Sequence, residues 1–287
     1  MLILRQTQHA IHNRTTLPDP SKISWRQKTF LFWKPYINTV VTVFETNSYV
    51  PLIMSQRFLP SAAFICSMLI SGCHQNENFQ NQTQELNNNL PIVGLLVYDG
   101  FLMTEVTAPM DVFSKLDSTE KKLLNVVTVS EQNQLYTSEE GLTILPDFTF
   151  ESIPKLDVLI VPSAFDIMSA MENENIINFI KEQNKNTTYT ASNCAGAYLI
   201  GQSGIASGKK IVTYVGGAGQ LQQTYPDLIV QDDSLVNYVE DGKFHSSNGN
   251  LTSYISSLEL LEKLTSPGHR KYVEDYIYLD RLQNWNN

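Results

Sequence analysis

The sequence predicts a three-layer α/β/α sandwich with a mainly parallel sheet from about residue 91 to residue 287. Short apolar runs suited to strands buried on both faces alternate with segments whose apolar residues follow helical spacing. One strand-like run also stops at Cys194, where a helix of small residues begins at once. This places Cys194 at the carboxyl edge of the sheet, where ligands bind in open α/β folds.

The first half of this region predicts a βαβ unit followed by further strands. Ile92 to Tyr98 is a near-continuous apolar run, which is typical of a buried strand. Thr104 to Leu116 has helical spacing, and Leu123 to Val129 predicts a second strand. Leu142 to Phe150 predicts an excursion strand or hairpin, and Asp157 to Val161 predicts another buried strand.

The second half continues the alternation of strand and helix. A helix is expected over Asp166 to Gln183, before the strand that leads to Cys194. The elements expected beyond the helix that follows Cys194 are a strand at Lys210–Tyr214, a helix at Gly216–Thr224, two strands within Leu228–Ser247 that turn at Asp241–Gly242, a helix at Asn250–Leu264 and an amphipathic helix at His269–Gln283. The aromatic-rich segment Tyr272 to Trp285 either packs on its own sheet, which is the simpler account, or covers an interface in a homodimer.

Residues 54–73 resemble a bacterial lipoprotein signal peptide. A basic start is followed by an apolar core too short to span a bilayer, and Ile70–Ser71–Gly72–Cys73 resembles a lipobox. The resemblance implies that Cys73 is lipidated and becomes the first residue of a protein anchored to a membrane of the bacterial cell envelope, facing the periplasm or the exterior. The alternative is a buried helix with an incidental cysteine.

The segments on either side of this signal have no domain-like pattern. Residues 1–53 are expected to be an upstream extension, with Met54 the true start, because signal peptides begin at the amino terminus. Residues 74–90 are rich in Asn and Gln and poor in apolar residues, which predicts a linker to the domain at 91–287.

Charge and cysteine content exclude several classes of function. Residues 1–89 hold 7 of the 20 Lys and Arg residues and 4 of the 29 Asp and Glu residues, so the remainder has a net charge near −12. Such a domain repels phosphate backbones, and no nucleic-acid partner is expected. The three cysteines form no CxxC pair or zinc-like cluster, so a structural metal is not expected. No P-loop or dinucleotide-binding fingerprint occurs, and no cofactor is predicted.

Cys194 is the candidate nucleophile. A turn between a strand and a helix exposes its side chain, and the free amides and dipole of the helix favour thiolate over thiol. The alternative is that Cys194 is a small buried apolar residue, as most free cysteines are.

Several ordered motifs resemble the ThiJ/PfpI superfamily, also called the DJ-one family, within the class I glutamine-amidotransferase-like fold. The residues that carry the resemblance are Asp99–Gly100–Phe101–Leu102–Met103–Thr104–Glu105–Val106–Thr107–Ala108–Pro109, Asp157–Val158–Leu159–Ile160–Val161–Pro162, Ala191–Ser192–Asn193–Cys194–Ala195–Gly196 and Ser207–Gly208–Lys209–Lys210. The resemblance covers roughly Pro91 to Leu264 and implies a flavodoxin-like, three-layer fold.

By this resemblance, Glu105 hydrogen-bonds to the sulfur of Cys194. Burial beside a thiolate would raise the pKa of that carboxyl, which could then donate to the thiolate and act as a general acid or base. The alternative is that Glu105 is a capping or surface residue of an amphipathic helix.

The sequence departs from the family pattern around this pair. Tyr214 stands near the position where many members have a histidine, and it is a poor base at neutral pH. His245 is a possible substitute on a nearby strand, although a lone histidine is more often structural. Ser163 and Ala164 replace a Gly-Gly pair whose backbone helps to form an oxyanion hole. Ala195 follows the nucleophile where the isocyanide hydratase branch has threonine, and that branch has aspartate in place of Glu105, so this specific activity is disfavoured.

These residues favour a Cys-dependent hydrolase, lyase or hydratase-like enzyme, with Cys194 as nucleophile and Glu105 as proton donor and acceptor. The expected substrate is a small carbonyl or nitrile-like electrophile that contacts Ser163, Ala164, Ala195 and Tyr214. The alternative is a non-catalytic redox-sensing or ligand-binding domain of the same fold.

Overall fold

The computed structural model describes residues 85–282. The predicted extension, signal peptide, lipidated Cys73 and most of the predicted linker lie outside this range. The described end of the linker contacts the domain: Leu86 packs against the core, and the Asn87 backbone N–H donates to Asn125 Oδ1 at 3.1 Å. Among the described helices, none has the length and apolar content needed to cross a membrane.

Eleven strands are found in residues 85–282. In chain order they are β1 (Ile92–Leu96), β2 (Asn125–Ser130), β3 (Tyr136–Thr137), β4 (Thr143–Ile144), β5 (Phe148–Thr149), β6 (Val158–Val161), β7 (Tyr189–Asn193), β8 (Lys210–Ile211), β9 (Ile229–Val230), β10 (Tyr238–Asp241) and β11 (Phe244–Ser247). The main sheet has the order β10-β11-β7-β6-β1-β2-β5, and every pairing in it is parallel except that of β10 with β11. The mainly parallel α/β fold expected from the sequence is confirmed.

The same range contains eight helices. They are α1 (Met103–Phe113), α2 (Ile167–Glu172), α3 (Glu174–Asn184), α4 (Gly196–Ser203), α5 (Ala218–Thr224), α6 (Thr252–Leu264), α7 (Pro267–Tyr276) and α8 (Leu279–Leu282). Helices α1, α6 and α7 bury apolar side chains against one face of the sheet, and α2 to α5 bury theirs against the other. The sheet is therefore the middle layer of three.

The central strands are apolar because both of their faces are covered. Val158 and Ile160 of β6 point to the core beneath α1 and α6, whereas Leu159 and Val161 point to the core beneath α3 and α4. All four side chains are at most 2% exposed. This two-sided burial produces a continuous apolar run rather than alternation.

Two of the expected helices are each divided in two. The helix predicted at Asp166–Gln183 is interrupted at Asn173, whose backbone is extended and whose side chain accepts hydrogen bonds from the amides of Asn175 and Ile176. The helix predicted at His269–Gln283 begins earlier, at Pro267, and ends at Tyr276, shortly before Tyr278 adopts a φ of 59°. A capping side chain and a left-handed residue therefore set boundaries that apolar spacing alone did not reveal.

The excursion predicted at Leu142–Phe150 separates into two strands with different partners. Thr143 and Ile144 pair antiparallel with β3, whereas Phe148 and Thr149 join the main sheet beside β2. The two strands expected around Asp241–Gly242 form the hairpin of β10 and β11. Gly242 has a φ of 66°, which suits glycine in a tight turn.

Replacing Asn173 by alanine should lower the free energy of unfolding by about 1 kcal/mol, because two amides at the start of α3 lose their acceptor. Urea denaturation measures this change. Asn178→Ala, at an exposed position of the same helix, is the matched control and should leave stability unchanged or slightly higher. Equal destabilisation by both variants would contradict the capping role.

Candidate active site

Cys194 forms a strained turn between β7 and α4. Its φ is 53°, in the left-handed region that costs an ordinary residue about 1–2 kcal/mol. Hydrogen bonds hold this conformation: the Cys194 N–H donates to the carbonyl of Ser247 at 2.9 Å, and the Thr213 hydroxyl donates to the carbonyl of Cys194 at 2.9 Å. The expected turn at the end of a buried strand is present.

Gly196 allows α4 to begin directly beneath the end of β6. A Cβ atom at this position would lie 2.4 Å from the carbonyl oxygen of Val161 and 2.9 Å from that of Pro162. Both obstacles are backbone atoms, so a larger residue would push the helix away from the sheet. The small residue two positions after Cys194 therefore fixes where the helix amides lie.

Glu105 reaches the same point from the first turn of α1. Its side chain is fully buried, and Oε2 accepts a hydrogen bond from the backbone N–H of Ser163 at 2.7 Å. The other carboxyl oxygen, Oε1, lies beside Cys194, because Oε1 and the Cys194 Cβ both pack against Gly249. The structure thus brings together the two residues that the sequence proposed as a pair, although they lie 89 positions apart.

Gly249 closes the site from the opposite side. Its φ is 82°, and a Cβ atom built on it would lie 2.2 Å from Glu105 Oε1 and 2.4 Å from the Cβ of Cys194. The carboxyl and the nucleophile therefore both pack against this glycine. A side chain at position 249 would displace one of them.

Burial raises the pKa of Glu105 to about 7. The hydrogen bond from the Ser163 amide and the proximity of the Asn250 amide and the Cys194 thiol lower this pKa, but they do not offset the cost of burying the charge. The raised pKa of Glu105 agrees in direction with the expectation from the sequence. Near neutral pH, this carboxyl is therefore able to take up or release a proton.

The Cys194 thiol departs from the expectation of a favoured thiolate. Burial raises its pKa to about 12, and the negative charge of an ionised Glu105 raises it as well. The Ser163 side chain and the Ala195 amide lower the pKa, but to a smaller extent. The effect of the Ala195 amide, at the start of α4, has the expected direction but does not offset burial.

Protonation of Glu105 removes the charge that opposes a thiolate. Between pH 7 and pH 12 the pair holds one proton, mainly on Cys194 with Glu105 ionised; the alternative arrangement has the proton on Glu105 and Cys194 as thiolate. The two arrangements have the same net charge and differ only in the position of that proton. Transfer of a single proton between them generates the nucleophile.

The residues expected to form an oxyanion pocket line this edge of the sheet. Ser163 and Ala164 follow β6 and are both buried, and the backbone N–H of Ser163 is already bound to Glu105. The amide of Ala195 is directed at the sulfur of Cys194. One expected oxyanion donor is therefore committed to the carboxyl, whereas Ala195 remains beside the nucleophile.

Tyr214 and His245 have other partners. The ring of Tyr214 stacks on Tyr198 and packs against Gly217. His245 is buried, its Nδ1 hydrogen-bonds with the Tyr238 hydroxyl, and its ring packs edge-on against Tyr189, at the opposite end of β7 from Cys194. Burial lowers the pKa of His245 to about 4. These contacts match the structural alternative for His245 rather than the role of a substitute base.

A buried polar network supports the pair, and sequence reasoning missed it. Asn193 Oδ1 accepts hydrogen bonds from the hydroxyls of Ser247 at 2.7 Å and Ser256 at 3.3 Å, and its Nδ2 donates to the carbonyl of Glu105 at 3.4 Å. Such residues resemble ordinary polar positions in the sequence. Only the position of Asn193 beside the nucleophile could have drawn attention to it.

Within residues 85–282, no three His, Cys, Asp or Glu side chains lie close enough together to hold a metal ion. At Cys194 and Glu105, the side chains present can supply a sulfur nucleophile and a carboxyl that transfers a proton.

Comparison with known proteins agrees with this fold. Residues 92–263 match the sequence model of the DJ-1/PfpI family, and the chain belongs to this family. Isonitrile hydratase of Pseudomonas putida is 29% identical over 184 residues, which cover 63% of this chain and 75% of that protein. Protein dj-1beta of Drosophila melanogaster is 29% identical over 143 residues, covering 48% and 74% respectively.

Solved structures show the same fold. A ThiJ/PfpI family protein from Pseudomonas syringae superposes with a TM-score of 0.60 at 18% identity, covering 70% of this chain and 84% of that one. DJ-1beta from Drosophila melanogaster gives a TM-score of 0.58 at 21% identity, covering 66% and 98%.

The raised pKa of Glu105 makes stability depend on pH. The folded state binds a proton more tightly than the unfolded state, whose pKa is near 4.5, so this stabilisation is complete below pH 4.5 and is lost as the pH rises through about 7. Urea denaturation of the wild type and of Glu105→Gln, from pH 5 to pH 8, should show the wild type losing roughly 3 kcal/mol relative to the variant.

Glu139→Gln, at an exposed position, is the matched control for this comparison and should parallel the wild type across the same range. A constant difference between the wild type and Glu105→Gln from pH 5 to pH 8 would contradict the raised pKa.

Proposed function

We propose that this protein is a Cys194-dependent enzyme that acts on a small carbonyl or nitrile-like electrophile. The observation that carries the proposal is the fully buried Glu105 carboxyl, which is held by the Ser163 amide and packs with Cys194 against Gly249. Cys194 supplies the nucleophile, and Glu105 moves the proton in both directions. The similarity to isonitrile hydratase supports a reaction at an electrophilic carbon, although Ala195 and Glu105 differ from the residues expected in that branch.

The proposed step starts from the singly protonated pair. Glu105 takes the thiol proton, the sulfur bonds to the electrophilic carbon, and Glu105 returns the proton to the substrate nitrogen or oxygen. With a nitrile-like substrate the product is a thioimidate. Addition of water and cleavage of the carbon–sulfur bond then release an amide and restore the thiol, so the balance requires only water as co-reactant.

The alternative function is a non-catalytic redox-sensing or ligand-binding domain. Two observations favour it: His245 is remote from the thiol, and the Ser163 N–H is engaged by Glu105 rather than free for a substrate. Turnover assays with glyoxal-like, nitrile and isocyanide substrates separate the two functions. Turnover that disappears in Cys194→Ala supports the enzyme, and no turnover of any substrate supports the alternative.

The rate at which iodoacetamide alkylates Cys194 should rise through an inflection near pH 7 and then level off, because loss of one proton from the pair forms the reactive arrangement. In Glu105→Gln the thiol ionises alone with a pKa raised by burial. The variant also lacks the carboxylate charge that raises the pKa of Cys194, so its alkylation rate should keep rising above pH 7 where the wild type levels off, and should be about tenfold faster than the wild type at pH 8.

Peptide mass spectrometry assigns the label to Cys194 rather than to Cys66 or Cys73. Glu139→Gln is the control and should retain the wild-type profile. A wild-type inflection at pH 8.5 or above that Glu105→Gln leaves unchanged would exclude proton sharing between the two residues.

We also propose that the domain is anchored to the bacterial envelope through lipidated Cys73 and faces the periplasm or the exterior. The support is the lipobox-like sequence Ile70–Ser71–Gly72–Cys73 after a short apolar core. Mass spectrometry of the native protein should find an acylated chain that begins at Cys73, and Cys73→Ser should release the protein from membranes. A mature chain that retains residues before Met54 would contradict this proposal.

A further inference from the structure

Asn248 presents a buried hydrogen-bond acceptor that the mechanism above does not use. Its side chain is 7% exposed, and Nδ2 donates to the carbonyl of Thr213 at 2.6 Å. This bond fixes the orientation of the amide, because only nitrogen can donate to a carbonyl. Within the described part of the chain, Oδ1 is buried and has no hydrogen-bond partner.

The position of Asn248 connects this acceptor to the nucleophile. It lies between Ser247, whose carbonyl binds the N–H of Cys194, and Gly249, which packs against the Cβ of Cys194. Thr213, which Asn248 binds, donates its hydroxyl to the carbonyl of Cys194 at 2.9 Å. The Asn248 amide is therefore held to the turn at Cys194 both through the chain and through Thr213.

An unsatisfied buried acceptor is costly. Leaving such a group without a donor costs about 1–3 kcal/mol, and this one belongs to the residue between Ser247 and Gly249, both of which contact Cys194. Glu105 Oε1 likewise has no partner of good geometry within residues 85–282, although the thiol and the Asn250 amide are close enough to lower the pKa of Glu105. Two acceptors of this kind thus occur around one nucleophile.

We propose that Asn248 Oδ1 is a specificity-determining acceptor, which binds an N–H or O–H group next to the electrophilic carbon that Cys194 attacks. This inference rests on the proposed function. It narrows the substrates to small electrophiles that carry a hydrogen-bond donor beside the reacting carbon. An analogue without the donor leaves Asn248 Oδ1 unpaired and is rejected.

Two alkylating probes with the same leaving group test this assignment in the full-length protein. Iodoacetamide carries an N–H donor beside its reactive carbon, and methyl iodoacetate carries none. In both reactions the sulfur–carbon bond forms, the carbon–iodine bond breaks, iodide leaves and the thiol proton passes to solvent. The measured quantity is the ratio of the two second-order rate constants at Cys194.

Asn248→Leu should lower the ratio of iodoacetamide to methyl iodoacetate about tenfold, since the acceptor for the amide is lost. Asn237→Leu is the matched control: Asn237 is exposed, and its carbonyl accepts the backbone N–H of Asn248, so the same substitution there should leave the ratio unchanged. A purely structural effect on Cys194 would slow both probes equally and leave the ratio as it was.

The two proposals fail in different ways. Slow labelling of the wild-type protein by both probes, at the rate of an ordinary buried thiol, would contradict the proposal that Cys194 and Glu105 form a reactive pair. Rapid labelling of Cys194 with a ratio that Asn248→Leu does not change would overturn the role of Asn248 alone. Asn248→Ser, which removes the amide without adding an apolar side chain, is the second variant and should show the same fall if Asn248→Leu does not fold.

Discussion

The buried carboxyl of Glu105 is the interaction on which the site depends. The Ser163 N–H holds Oε2 at 2.7 Å, which ties α1 to the end of β6 and directs the carboxyl at Cys194. Burying an ionised carboxyl without a cationic partner is costly, and this raises the pKa of Glu105 to about 7. The rest of the local structure serves this contact: Gly196 brings α4 close to β6, and Gly249 leaves room for both side chains.

A shared proton explains how this site could operate without a histidine beside the thiol. In a Cys–His arrangement, the base is a separate group that becomes a cation and stabilises the thiolate. Here the thiolate forms more readily when the neighbouring carboxyl is neutral, so in the proposed mechanism one group both accepts the thiol proton and returns it to the substrate. The remote position of His245, bonded to Tyr238, is consistent with this division of roles.

The sequence was sufficient to predict the fold class and the pairing of Cys194 with Glu105, because both leave a clear local pattern. Strands buried on both faces leave continuous apolar runs, and Cys194 and Glu105 lie in motifs that follow such runs directly. Other features depend on contacts between distant residues. The break at Asn173 depends on a capping side chain, and the partner of β3 is set by tertiary pairing. Asn193 and Asn248 can be related to the site only in the folded structure, where both are buried in segments that adjoin Cys194.

The most direct test of the shared proton is a ¹³C NMR titration of the Glu105 carboxyl, with the resonance assigned by its loss in Glu105→Gln. The account predicts that this carboxyl titrates with an apparent pKa near 7. It also predicts a changed midpoint in Cys194→Ala, because the proton has lost its second site. A carboxyl that titrates near its ordinary value of 4.5 and is insensitive to Cys194→Ala would contradict the account.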